Sequence, residues 1–161
     1  MQVMRSSVDD WARVRALRIA ALADTPDAFG STYAEEVDQP EPFWRRRLTR
    51  ESAVTLVATL DGQDAGLVVI APEDDDPTVA GIYSVWVALF ARRRGVGDAL
   101  VVAAVDDARA RGFRRIVLEV GEQNLPAQAL YARHGFTASG LRGHLPPPRE
   151  HVPEIQLVRD L

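Results

Sequence analysis

The segment Arg92-Arg93-Arg94-Gly95-Val96-Gly97 sets three guanidinium groups beside two glycines, between an apolar β-rich run and a long apolar run. A strand, a tight turn and a helix in that order leave backbone N–H groups unpaired at the positive end of a helix dipole. Gly95 and Gly97 let the backbone approach a ligand closely and take up positive φ, while the arginines add charge and forked donors. Such a turn can hold a phosphate. Taken alone, Gly-x-Gly carries little specificity, and the plainer reading is a strand-to-helix turn with solvated arginines.

Other residues test this reading. A dinucleotide fingerprint requires Gly or Ala three residues beyond the second glycine, where Leu100 stands. Glu119 lies near the distance expected of a ribose-binding acid, which keeps a nicotinamide-binding domain as a rival. No Gly-Lys-Ser/Thr follows a glycine loop, so the nucleoside triphosphate loop is missing. Ile116, Leu118 and Val120 share one face of a strand, and Glu119 points the other way, into a cleft or into solvent. Tyr131 stands at helical spacing from Ala127, Leu130 and His134, as a core ring with a satisfied hydroxyl would. Asn124 precedes Leu125-Pro126 and suits a helix cap. His134, His144 and His151 do not fall on one helical face and cysteine does not occur, so no metal site is expected.

The elements that must position these residues are legible in outline. Met1 to Arg5 suits a first strand, and Ser7 a cap for a helix carrying Trp11, Val14, Leu17 and Ala21 to about Asp24. A second helix is expected from Pro42 toward Glu51, then strands Val54 to Leu60 and Ala65 to Ile70 around an Asp61-Gly62 hairpin. Val79 to Ala88 is the next strand, and Val96 to Arg111 a helix buried on more than one side, stopped by Gly112. Ile116 to Val120 is a strand, Asn124 to His134 a short helix, Phe136 to Ala138 the start of a strand, and Ile155 to Val158 a closing edge strand. The tryptophans Trp11, Trp44 and Trp86 suit core positions. Loops Asp24 to Glu36 and Gly140 to His151 are expected to frame a substrate pocket.

With 161 residues, 47% hydrophobic and 26% charged, the chain suits one soluble domain, and no apolar run approaches bilayer length. The start of the chain carries no signal-peptide pattern, which together with the missing cysteine suits the cytoplasm. A net charge of -4 argues against nucleic acid as a partner. All 19 basic residues are arginines, and the cluster at Arg92 to Arg94 points to a small anionic ligand.

The turn resembles the acetyl-CoA-binding motif of the Gcn5-related N-acetyltransferase (GNAT) superfamily, Arg/Gln-x-x-Gly-x-Gly/Ala between a strand and a helix, and matches it in full. Leu118-Glu119-Val120 with Asn124, Ala127, Leu130-Tyr131 and Gly135-Phe136 is similar to the superfamily's second half-site, and Leu17-Arg18 and Pro26-Asp27-Ala28-Phe29-Gly30 to many bacterial members. The resemblance is best over Val79 to Ala138 and implies an α/β fold with a mixed, mostly antiparallel central sheet and helices on both faces. It implies one acetyl-CoA-binding domain over residues 1–161 that acetylates an amine, without a metal, and a homodimer as a family expectation. By position, Arg92, Arg93, Arg94, Gly95, Val96 and Gly97 would hold the pyrophosphate, and Val85, Trp86 and Val87 the pantetheine arm, with Val87 N–H on the thioester oxygen. Asn124 would contact the arm, Tyr131 act as the acid, and Glu119 stand at the base position of the ribosomal-protein N-terminal acetyltransferases. Leu89 replaces the proline that many relatives carry. The same fold can also serve as a non-catalytic coenzyme A-binding module.

Overall fold

The structure is a computed structural model that describes residues 1–161. Strand β1 (Gln2–Arg5) leads to Ser7, whose hydroxyl accepts from Asp9 N–H and caps a 3-10 turn, Val8–Asp10. Helix α1 (Trp11–Asp24) starts after that turn with no side-chain cap, so Ser7 acts one turn earlier than expected. A one-turn helix α2 (Tyr33–Glu36) precedes α3 (Glu41–Thr49), which opens with Pro42 in its first turn. Strands β2 (Val54–Leu60) and β3 (Gln63–Pro72) form a hairpin at Asp61-Gly62, where φ is 53° and 79°. Positive φ at both turn residues matches the right-handed twist of the strands.

The chain continues through β4 (Val79–Val87), α4 (Val96–Ala110), β5 (Arg115–Gly121), α5 (Leu125–Arg133), β6 (Thr137–His144) and β7 (Pro153–Asp160). One sheet holds all seven strands in the order β1-β2-β3-β4-β5-β7-β6. Only β4 and β5 run parallel; the other pairs are antiparallel. The mixed, mostly antiparallel sheet is thus the expected one, with one correction. Ile155 to Val158 do not close an edge: β7 lies between β5 and β6. The crossover from β5 through α5 leaves a strand-wide gap, and β7, with Leu157 buried, fills it. Strand β6 is exposed along its whole length and takes the edge.

Helix α4 also departs from expectation. It buries one stripe, Val96, Leu100, Val101, Ala104, Val105 and Ala108, and leaves Val102 46% exposed. Its near-continuous apolar run reflects alanines and valines that tolerate the flank of a helix resting on a sheet. The stripe packs with Val68, Ile82, Ile116 and Leu118 in the larger core. On the other face, α1 packs Val14, Leu17 and Leu22 with Val57, Leu67 and Trp86. Trp44 and Trp86 are buried as expected, while Trp11 is half-buried. No helix is long and apolar enough to cross a membrane.

Two irregularities shape the middle of the sheet. Strands β4 and β5 pair only over Val79–Gly81 and Arg115–Val117. Beyond those three pairs they part. Strand β4 also bulges opposite Leu67 to Val69, at Ser84, whose φ of 58° is unusual for a residue with a side chain.

Candidate active site

Where β4 leaves β5, its main chain faces a gap. Val87 pairs with Gly66, and the next N–H, of Ala88, donates to Ala65 O at 2.8 Å. Antiparallel alternation therefore turns the N–H and C=O of Val87 away from β3 and into the gap. Its carbonyl accepts from Arg92 Nε at 3.0 Å. Val85 is half-buried at the same rim. The Trp86 ring points the other way, into the α1 core, and its indole N–H donates to Asp24 at 2.9 Å.

The glycine turn stands at the end of that gap. Arg92 N–H donates to Leu89 O and Ala99 N–H to Gly95 O, but the six N–H groups between them, from Arg93 to Asp98, have no acceptor in the protein. Gly95, the N-cap of α4, has φ 82°. Gly97 departs from expectation: it lies inside the helix without positive φ, and a Cβ there would stand 3.2 Å from Leu130 Cδ2. Its missing side chain lets α4 approach α5. The arginines are not equivalent either. Arg92 pairs with Asp24 and Arg94 with Asp61, the latter at 2.7 Å, while Arg93 forms no ion pair. Arg92 to Gly95 are exposed, and Val96 is buried in the core.

A cavity of about 770 Å³ opens on the α1 face, and Val85, Glu119, Asn124 and Tyr131 line one side of it. The turn from Arg92 to Gly97 lies outside this cavity, while Val85, on β4 beyond its last pair with β5, lines it. Both expected loops contribute, through Phe29 and Gly30 and through Leu145 and Pro146. Arg149 ties them together by donating to the carbonyls of Pro26 and Gly30. Gly140 to His144, however, belong to β6 and not to a loop.

Tyr131 is 6% exposed, with its ring edge-on to Phe136 at 5.8 Å. Burial holds its hydroxyl pKa well above the ordinary value. The ring is in the core as expected, but the hydroxyl bonds to no protein group and opens on the cavity. Asn124 caps α5, its Oδ1 accepting from Ala127 N–H at 3.3 Å, and also lines the cavity. Glu119 is exposed there and accepts from Gln156 Nε2 at 3.1 Å.

Several cavity residues escape a reading of the sequence. Glu154 stands opposite Gly121 in β7, two pairs along from Gln156 and Glu119, and burial and then the Glu119 charge raise its pKa. Alternation in Glu154-Ile155-Gln156-Leu157 is a usable signal, hidden when the strand is taken for an edge. Tyr83 donates to Glu73 at 2.5 Å, and burial and this carboxylate together raise its pKa. Arg18, 5% exposed, donates to both oxygens of Glu36 at 3.0 and 2.9 Å and to Ser84 Oγ at 2.8 Å, holding the β4 bulge. Burial pushes the Glu36 pKa up, yet Arg18 and Arg47 outweigh it and leave the group below the usual range. No His, Asp or Glu cluster in the protein could hold a metal ion.

Residues 16–136 match the acetyltransferase (GNAT) family. An uncharacterised N-acetyltransferase of Bacillus subtilis is 28% identical over 122 residues, which cover 73% of this chain and 82% of that protein. The mycothiol acetyltransferase of Rhodococcus erythropolis is 30% identical over 84% of this chain and 46% of its own length. The chain thus spans less than half of that relative. Among solved structures, a GCN5-related N-acetyltransferase from Kribbella flavida superposes with a TM-score of 0.78 at 27% identity, covering 99% of this chain and 97% of that one. The ribosomal-protein-alanine N-acetyltransferase of Brucella melitensis shares the fold, with a TM-score of 0.82 at 20% identity over the whole of both chains. A family match over most of the length, on a sheet parted between β4 and β5, places the chain in the GNAT acetyltransferase family.

Proposed function

We propose that residues 1–161 act as one domain that transfers the acetyl group of acetyl-CoA to a primary amine by direct attack, with both substrates bound together. The observation that carries this reading is the run of unpaired N–H groups from Arg93 to Asp98 at the end of the parted strands. A diphosphate suits these N–H groups, and an extended amide-bearing arm suits the β4 edge at Val85, Trp86 and Val87, where Val87 turns its N–H and C=O into the gap. Arg93 supplies free charge, Arg92 and Arg94 complete the rim, and Gly95, Val96 and Gly97 supply main-chain N–H groups. Asn124, its oxygen used in the cap, has its amide donors left for the arm.

In the reaction the amine nitrogen bonds to the thioester carbonyl carbon, the C–S bond breaks, the nitrogen loses a proton and the sulfur gains one. Val87 N–H supports the carbonyl oxygen as charge develops, a role its turn away from β3 favours. Glu119 takes the amine proton, and Glu154, whose raised pKa makes it the stronger base, stands beside it. A tyrosine of pKa about 10 gives its proton to a thiolate of about 8.5 only at a cost of roughly 2 kcal/mol, and burial of Tyr131 adds to that. Tyr131 therefore acts as a hydrogen-bond donor to the departing sulfur.

Calorimetry and thiol release test the reading together. Acetyl-CoA should bind and raise Tm while NAD does neither, and members of an amine panel should release free coenzyme A. Tight binding without release for any amine favours a non-catalytic module, and stabilisation by NAD alone favours a dinucleotide site.

A further inference from the structure

The arginines that share the cavity with Glu119 bear on which amine is used, a question that rests on the acetyl-transfer reading. Arg18 and Arg47 both line the cavity, from α1 and α3. Glu36, 3% exposed, is fully engaged by Arg18 through two hydrogen bonds. Arg47 forms an ion pair with the same carboxylate through Nη1 at 3.2 Å. Two guanidinium groups thus share one carboxylate, while Glu73, Asp74, Asp75, Glu119 and Glu154 also line the cavity. Arg50 lines the cavity as well and forms no ion pair.

Arg47 is held in place for recognition. Its side chain is 35% exposed, and its guanidinium lies 5.6 Å from the ring centres of both Phe43 and Trp44. The aromatic rings and the Glu36 contact at Nη1 hold the planar fork, and Nε and Nη2 are left to meet a ligand. Burial lowers its pKa below the ordinary arginine value, against the pull of Glu36, so the charge sits in a poorly solvated place. A fixed, half-buried fork of this kind is matched by the two oxygens of a carboxylate or phosphate. The cavity, at about 770 Å³, has room for more than a bare amine.

We propose that the acceptor is a primary amine that also carries an oxyanion, which docks on Arg47 while the amino group faces Glu119. The test compares 4-aminobutyrate and O-phosphoethanolamine with 1-aminobutane and a peptide amide, measuring thiol release by the full chain at saturating acetyl-CoA. The acid-bearing amines should exceed 1-aminobutane by about tenfold or more in kcat/KM. Their order tells carboxylate from phosphate. Arg47→Met should collapse that ratio through KM, and Arg47→Lys should restore part of it. Equal or better use of 1-aminobutane or of the peptide amide, or an unchanged ratio in Arg47→Met, overturns the proposal. If acetyl-CoA binds but no amine is acetylated, the transfer reading fails separately. Calorimetric titration of the same amines into the coenzyme A complex then decides: equal affinity for 4-aminobutyrate and 1-aminobutane overturns it, and tighter binding of the acid that Arg47→Met abolishes upholds it.

Discussion

Replacing Arg18 with methionine keeps the length of the side chain and removes three hydrogen bonds, two to Glu36 and one to Ser84. Glu36 then stays buried with only Arg47, 3.2 Å away, to answer its charge. Losing one partner of a buried ion pair costs about 3–5 kcal/mol, and the remaining arginine places this case near about 3. In a domain of this size that lowers Tm by about 6–12 °C. Arg18→Met/Glu36→Leu, which removes the stranded carboxylate as well, should be more stable than Arg18→Met alone. The pH dependence comes from Glu36. In the wild type its folded pKa lies below the ordinary 4.5, so its contribution is present above that value and is lost as pH falls through the folded pKa. Without Arg18, burial prevails and the folded pKa rises, so the variant loses stability as pH climbs above 4.5. The gap between the two proteins should be widest at neutral pH and close toward pH 4 and below. Urea unfolding monitored by tryptophan fluorescence at both ends of this range measures it. A loss under about 1 kcal/mol, as for an exposed pair, or a double variant weaker than Arg18→Met, refutes the reasoning.

Tyr131→Phe should leave urea stability nearly unchanged, because the hydroxyl has no protein partner, while lowering kcat by about a hundredfold or more with acetyl-CoA affinity retained in calorimetry. Gly95→Ala meets open space but takes φ of 82°, so it should cost about 1–2 kcal/mol in urea and weaken acetyl-CoA binding. Glu154→Gln should gain stability at pH 7, by less than about 1 kcal/mol given its partial exposure and read as a small rise in Tm, because the raised folded pKa makes the wild type lose stability as pH rises past the unfolded value. That gain should vanish near pH 4 in a thermal scan, where the native carboxyl is protonated.

Local chemistry was legible and long-range pairing was not. The sequence from Val79 through Gly97 to Arg111 announces strand, turn and helix because β-branched residues, glycines and an apolar run each act within a few residues of themselves. The Asp61-Gly62 hairpin and the Asn124 cap are local in the same sense. The place of β7 depends on which gap the crossover through α5 leaves, and nothing in Ile155 to Val158 records that. An edge placement hides Glu154, which is a neighbour of Glu119 only through the pairing of β5 with β7. The arginines show the same limit. Asp24 and Asp61 engage Arg92 and Arg94 from far along the chain, leaving Arg93 free. Burial of Arg18 with Glu36 joins α1 to α2, and no periodicity marks a charged pair for the interior.

Three rungs alone, Val79–Gly81 against Arg115–Val117, stitch β1 to β4 onto β5 to β7 through the sheet itself. Mechanically the molecule is two plates sharing a short seam, with α4 resting on the β1 to β4 plate. A chain-like guest lying in the crevice would supply the missing rungs, so the loaded protein should be stiffer than the empty one. Amide hydrogens of Ile82 to Val87 and Leu118 to Gly121 should then exchange more slowly once the guest is in. Turnover would carry a mechanical requirement too, since the spent guest leaves only when the plates give up the rungs it lent them.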